Sequence, residues 1–246
     1  MKILGCLLML VIVIGIHGCK GDTDKEGSLT LHFKGTYNGQ PLAMFSTKPF
    51  TTPQQLQFTH LSLYVSDLVL LDQANTVNLS DIELVDLSFD DENSADGGFA
   101  IRFDHLPPKE YSGISFGIGV PPDLNVKKPE DFPSSNPLSN PVNYWLTWNS
   151  FIFMKTEGRI DTIGNGTFGT GFAYHTGTDD LYRNMQRTIP LSIEEGKNKD
   201  LDITIDYQKV LDGIDIKINP QNHNPKDSIQ IRMLVQNLDD ALKLIQ

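Results

Sequence analysis

His175 stands between an apolar approach, Phe172-Ala173-Tyr174, and a polar exit, Thr176-Gly177-Thr178-Asp179. An imidazole framed in this way can be held at the mouth of a partly dry pocket by a turn rich in Gly and Thr. There it can offer a lone pair to a metal or move a proton near neutral pH. Upstream, the segment from Asn143 to Gly158 carries both tryptophans of the chain. Tyr144, Trp145, Trp148 and Tyr174 are therefore the candidate aromatic wall, and Asp179 and Asp180 the candidate acceptors that would fix the tautomer of His175. A Trp- and Phe-rich run also serves simply as sheet core, and a histidine before a turn as a satisfied structural residue. Pairing His175 with Asp179 for acid–base work would need a nucleophile or a second catalytic element, and the sequence offers neither. A GxxxxGK phosphate-binding loop and an HExxH motif are absent, and the chain reads as a non-enzyme.

The elements that must position these residues read as strands. Residues 28–37 alternate, with Leu29, Leu31 and Phe33 on one face and Thr30, His32 and Lys34 on the other, the period of a half-buried strand. Residues 57–71, 77–89, 99–103, 111–120 and 191–207 give further extended segments, and Ile214, Ile216 and Ile218 predict one more. The acidic run from Asp90 to Gly98 reads as a solvated loop. Pro121, Pro122, Pro129, Pro133 and Pro137 exclude regular ladders from the stretch before the tryptophans, which reads as a long ordered loop punctuated by Phe132 and Leu138. Residues 227–246 space Leu234, Leu238, Ala241, Leu242 and Ile245 as a helical stripe, with Asp227 or Ser228 able to cap its start. The expected fold is all-β, a mainly antiparallel β-sandwich, with a C-terminal helix and a long Pro-rich ordered loop.

Composition narrows the partners. A formal net charge of -11 without a Lys/Arg cluster argues against nucleic acid. The apolar run from Ile3 to Ile16 behind Lys2 has the length of a signal-peptide core and falls short of the roughly 20 residues a membrane-spanning helix needs. It ends in Ile16-His17-Gly18-Cys19, which resembles a bacterial lipobox with Cys19 as the lipidated first mature residue. The expected organisation is a lipoprotein signal peptide over 1–18, a polar tether over 19–27 and a single domain over 28–246. The tether, Lys20 followed by acidic residues, looks like an export signal to the outer membrane. The expected location is therefore the outer membrane, at its periplasmic face or at the cell surface.

Four segments in order resemble the MbnP-like family: Tyr64 to Leu70, Ile114 to Pro121 with Leu124-Asn125, Trp145 to Gly158 ending in Lys155-Thr-Glu-Gly158, and Ala173-Tyr-His-Thr-Gly177. The resemblance implies a β-sandwich that binds copper outside the cytoplasm, in some members with a tryptophan oxidised to kynurenine by a MauG-like di-haem peroxidase partner. His175 falls on the family's His-x-Gly position and is the implied ligand. Trp148 aligns with the second family tryptophan while Leu146 takes the place of the first, and Asp179 and Asp180 stand where members carry a Cys. One His cannot hold copper tightly, so a second donor must come from His32, His60, His105, His223 or Met154, among which the sequence does not choose.

Two functions remain from different classes. One is a copper-binding lipoprotein that captures or hands on the metal. The other is an adhesion or glycan-binding module using Trp145 and Trp148 as a platform without metal. Lipidation of Cys19 is open to a direct check: a Cys19→Ser chain is expected to leave the membrane fraction, and its retention there would overturn the lipobox reading.

Overall fold

The computed structural model describes residues 26–72, 76–223 and 228–246; Cys19, its leader and most of its tether lie outside them, as does Asp227. Strand β1 (Gly27–Tyr37) turns at Asn38-Gly39 into the short β2 (Gln40–Pro41), and β3 (Lys48–Pro49) leads to the 17-residue β4 (Gln55–Leu71). After β5 (Val77–Asp86), β6 (Phe99–Leu106) and β7 (Lys109–Ile118), the Pro-rich excursion intervenes before β8 (Tyr144–Trp145) and β9 (Ser150–Asp161). β10 (Thr170–Gly177), β11 (Arg183–Ile193), β12 (Asn198–Asp206) and β13 (Gln221–Asn222) follow, then a helix over Ile229–Ala241 and a last strand, β14 (Leu242–Ile245).

Two sheets pack face to face, as the alternation requires. The smaller runs β14-β12-β1-β2 with β6 also paired to β1, and the larger runs β11-β7-β4-β9-β10-β13. Leu29, Leu31 and Phe33 of β1 and Leu201, Ile203 and Ile205 of β12 bury their side chains in the main core with Phe58, Phe116, Phe172 and Tyr174. The pairing is mixed: β1 lies parallel to β12, and β10 parallel to β13. A parallel pair needs a long crossover, and β1 and β12 stand at the two ends of the sandwich's chain path.

β4 organises the larger sheet. On one edge its residues 62–70 pair with β5. On the other edge residues 55–63 pair with β9 and residues 65–71 with β7. The partner changes at Tyr64, whose carbonyl accepts from the Gly119 N–H at 2.8 Å. Gly119 has φ +109°, and a Cβ there would lie 2.5 Å from the Phe153 ring, so only glycine fits where the two strands part.

The excursion joins the ends of these two diverging strands and covers the gap. Four helical turns order it, Pro122–Asn125, Pro129–Asp131, Pro137–Ser139 and Pro141–Asn143. Each begins on a proline, at the position where the missing N–H has no helical partner to lose. Asn136 and Asn140 accept from the backbone of Leu138 and Val142 at 2.9 and 3.0 Å. Beneath lies a second small core, on the outer face of the sheet, of Tyr64, Ile82, Val120, Leu138, Phe151 and Phe153.

Three local expectations change. Residues 92–97 form a short helix capped by Asp91, whose carboxylate accepts from Ser94 N–H; the acidic residues suit the helix start. Ile214, Ile216 and Ile218 form no strand: the first two are buried within turns and Ile218 is exposed. The C-terminal helix starts at the Ser228 cap and stops at Ala241. Leu242 and Ile245 belong instead to β14, which pairs with β12 and so satisfies its backbone there.

Ile231, Leu234, Val235 and Leu238 bury the helix face in the main core. Leu238→Ala is expected to cost about 2–5 kcal/mol in denaturant unfolding. Ile245→Ala, at a half-exposed side chain, is expected to stay within about 0.5 kcal/mol. Equal effects at the two positions would contradict this packing.

Candidate metal centre

β9 and β10 set the site. Phe172, Tyr174 and Thr176 of β10 and Met154 and Thr156 of β9 are buried towards the core. The alternate residues, Ala173 and His175 on β10 and Lys155 and Glu157 on β9, therefore face outward. Register pairs Lys155 with His175 and Glu157 with Ala173, which places Glu157 diagonally across from His175. The His175 Nε2 and Glu157 Oε1 lie 2.7 Å apart, with the His175 side chain 12 % exposed. That hydrogen bond holds the Glu157 carboxyl below its ordinary value against the opposing effect of burial. An ionised carboxylate only accepts, so Nε2 carries the hydrogen and the lone pair of neutral His175 sits on Nδ1. Nδ1 is buried and has no hydrogen-bond partner among the described residues.

A second imidazole meets it. His223 follows β13, which adds to the β10 edge through Ala173 and Tyr174. Its approach is fixed by the Ala173 N–H donating to the Pro220 carbonyl at 2.8 Å and by the Tyr174 hydroxyl donating to the Asn219 carbonyl at 2.6 Å. The His175 and His223 ring centroids are 4.8 Å apart. His223 Nδ1 is likewise buried and, among the described residues, without a partner. Burial, and after it the neighbouring His175, hold His223 below the ordinary imidazole pKa, so it favours the neutral, lone-pair form.

Trp145 walls the pair, stacked with His223 at 5.1 Å and edge-on to His175 at 5.9 Å. It also stacks with Trp148 at 4.9 Å and 14°. Trp148 rests on Gly177, where a Cβ would stand 2.9 Å from the indole.

The other expected residues are placed elsewhere. Tyr174 lies on the opposite face of β10, inside the main core. Tyr144 packs edge-on against Phe151 at 5.0 Å and donates to Asn149 Oδ1. Asp179 accepts from Asn125 Nδ2 at 2.8 Å and, with Asp180 and Trp148, lines a cleft of 310 Å³; the acceptor at His175 is Glu157. Among the remaining donors, His32 contacts Asp200, His60 contacts Ser62 and Ser88, His105 contacts Glu26, and Met154 is buried in the core. Among the described residues, no group of three or more His, Cys, Asp or Glu side chains is placed to hold a metal. The arrangement is two imidazoles, one of them oriented by a carboxylate.

A sequence model of the MbnP family matches residues 26–228, spanning the larger sheet, the smaller sheet apart from β14, the excursion and both imidazoles. The chain belongs to the MbnP family. No curated protein and no solved structure matches it. As an MbnP member it carries the site on the family-matched body of the chain. Among the described residues no helix is long and apolar enough to cross a membrane.

His223 and Glu157 are both held below their ordinary values, so each contributes stability that is present at neutral pH and lost on acidification. The metal-free chain is expected to lose stability as pH falls below 6.5, the ordinary value for His223, and again below 4.5, that for Glu157. Urea unfolding at stepped pH checks this: His223→Gln should flatten the first decline, and a wild-type profile level from roughly pH 7 to 5 would contradict it.

Proposed function

We propose that this protein binds copper outside the cytoplasm and captures it or hands it on, without catalysing a reaction. The supporting observation is the pair of buried, unpartnered Nδ1 atoms on imidazoles 4.8 Å apart. Leaving such atoms unsatisfied costs about 1–3 kcal/mol each, and a shared cation would satisfy both. The donor chemistry fits copper: imidazole is a borderline ligand accepted by either oxidation state, and cuprous ion tolerates a low coordination number. Zinc sites ordinarily use three or four protein ligands, and calcium and magnesium take oxygen donors. His175 and His223 would hold the ion. Glu157 would fix the ring and tautomer of His175, and Trp145 would keep water from the metal.

Family membership supports this reading, and the family likeness adds a MauG-like peroxidase as partner; the lipobox-like Ile16-His17-Gly18-Cys19 and the tether after it add attachment through lipidated Cys19 at the outer membrane. The glycan-platform reading finds less support. Trp145 and Trp148 stack on each other instead of lying side by side, so each indole turns a face to its neighbour and not to a sugar.

The mature domain is expected to bind about one copper per chain through two imidazoles. His175→Ala and His223→Ala should each weaken binding far more than Glu157→Gln, for which about a 10- to 100-fold loss is expected. Competition with graded chelators measures all three. If wild type and His175→Ala give up the metal alike, the copper reading fails.

A further inference from the structure

Lys155 faces outward beside the imidazoles, and copper binding leaves it without a part. It is in register with His175 on one side and with Ser62 of β4 on the other. Its amine is partly buried, and burial holds its pKa below the ordinary lysine value against the opposing pull of Glu157 and Asp86. A cation in such a place is costly unless acceptors meet it. They come from the excursion: Asn143 Oδ1 at 2.6 Å and the Val142 carbonyl at 3.4 Å. Asn143 is buried, and on the same outer face the Tyr64 hydroxyl donates to the Pro137 carbonyl at 3.1 Å. This chain of contacts runs from the sheet into the excursion and ends two residues before Trp145.

Trp145 matters because of what it covers. Both imidazole Nδ1 atoms are buried, and Trp145 packs on both rings. The turn that carries the indole is lightly held. β8 contributes only the bridge pairs Tyr144 with Phe151 and Trp145 with Ser150. Trp148 leans on Gly177, and Leu146 at the tip is 83 % exposed.

We propose that Lys155 is a positioning residue: its bond to Asn143 seats the Trp145–Trp148 turn over the two imidazoles and thereby sets how fast copper enters and leaves. The seating stands on geometry alone, and the exchange rate rests on the copper reading. A purely electrostatic role, repulsion of the metal by the ammonium, is the competing explanation. It would change affinity without moving the indoles.

The test uses Lys155→Met, Lys155→Arg and Asn143→Ala in the whole chain. Near-ultraviolet circular dichroism reads the stacked indole pair, and release of copper to a chelator is followed in time. Lys155→Met and Asn143→Ala are each expected to weaken the indole signal and to speed release by about tenfold, the scale of one lost charged hydrogen bond. Combining them should add little, because both cut the same bond. The proposal is overturned if the indole signal is unchanged in both variants. It is also overturned if Lys155→Arg matches wild type in release while Lys155→Met differs and the signal stays constant, since charge alone then accounts for the effect. Should Lys155→Met fail to fold, Asn143→Ala carries the same comparison. If wild type takes up no copper, the copper reading fails by itself, and the indole signal still decides whether Lys155 seats Trp145.

Discussion

A single β-strand edge cannot serve two diverging partners without leaving a gap, and that constraint shapes the outer face of this protein. β4 pairs with β9 over its first half and with β7 over its second, changing partner at Tyr64. Where the two strands part, backbone groups and the apolar rings of Tyr64, Phe151 and Phe153 would meet water on the outer face. The excursion leaves from the end of β7 and returns at the start of β9, so the segment that connects the parting strands is also the one that covers them. Its return path crosses β9 and delivers Trp145 and Trp148 beside β10. The aromatic wall of the site is thus a consequence of closing the sheet.

Much of this scaffold was legible from period-two alternation. β1 and β12 bury the expected Leu29, Leu31, Phe33, Leu201, Ile203 and Ile205, because a strand against a core leaves one such pattern. The same pattern misled at Ile214, Ile216 and Ile218: turns that plug two side chains into a core produce the same spacing over so short a run. The helix stripe ran on too far for a related reason. Leu242 keeps the burial that the stripe required, but it does so from a strand paired to the edge of β12.

The site was legible by half. His175 and Trp145 are where the sequence placed them in relation to one another, whereas Tyr174 could not share the wall. Adjacent residues of one strand face opposite ways, so the parity that brings His175 outward sends Tyr174 into the core. The same parity carried the signal for Glu157, two residues beyond Lys155 and on its face of β9. For Asp179 and Asp180 the strand had already ended: Thr178, at φ +70°, turns the chain away, and Asp179 meets Asn125 instead. His223 had no local signal. It reaches the site through a two-residue parallel bridge late in the chain, and nothing in its neighbours encodes that contact.

The balance between stability and function at this site follows from the two Nδ1 atoms. Ordinary cores avoid buried polar atoms without partners, yet among the described residues two stand together, and burial keeps His223 in the neutral form because the charged form would cost more. Glu157 orients His175 by accepting from its Nε2–H. A fold under selection for stability alone would fill this space with apolar side chains, as it does one residue away at Tyr174 and Phe172. Placing two unpartnered imidazole nitrogens beneath an indole lowers the stability of the protein by itself. It also prepares a site in which a bound cation would meet ligands already desolvated and aligned, so that little of its binding free energy is spent on ordering them.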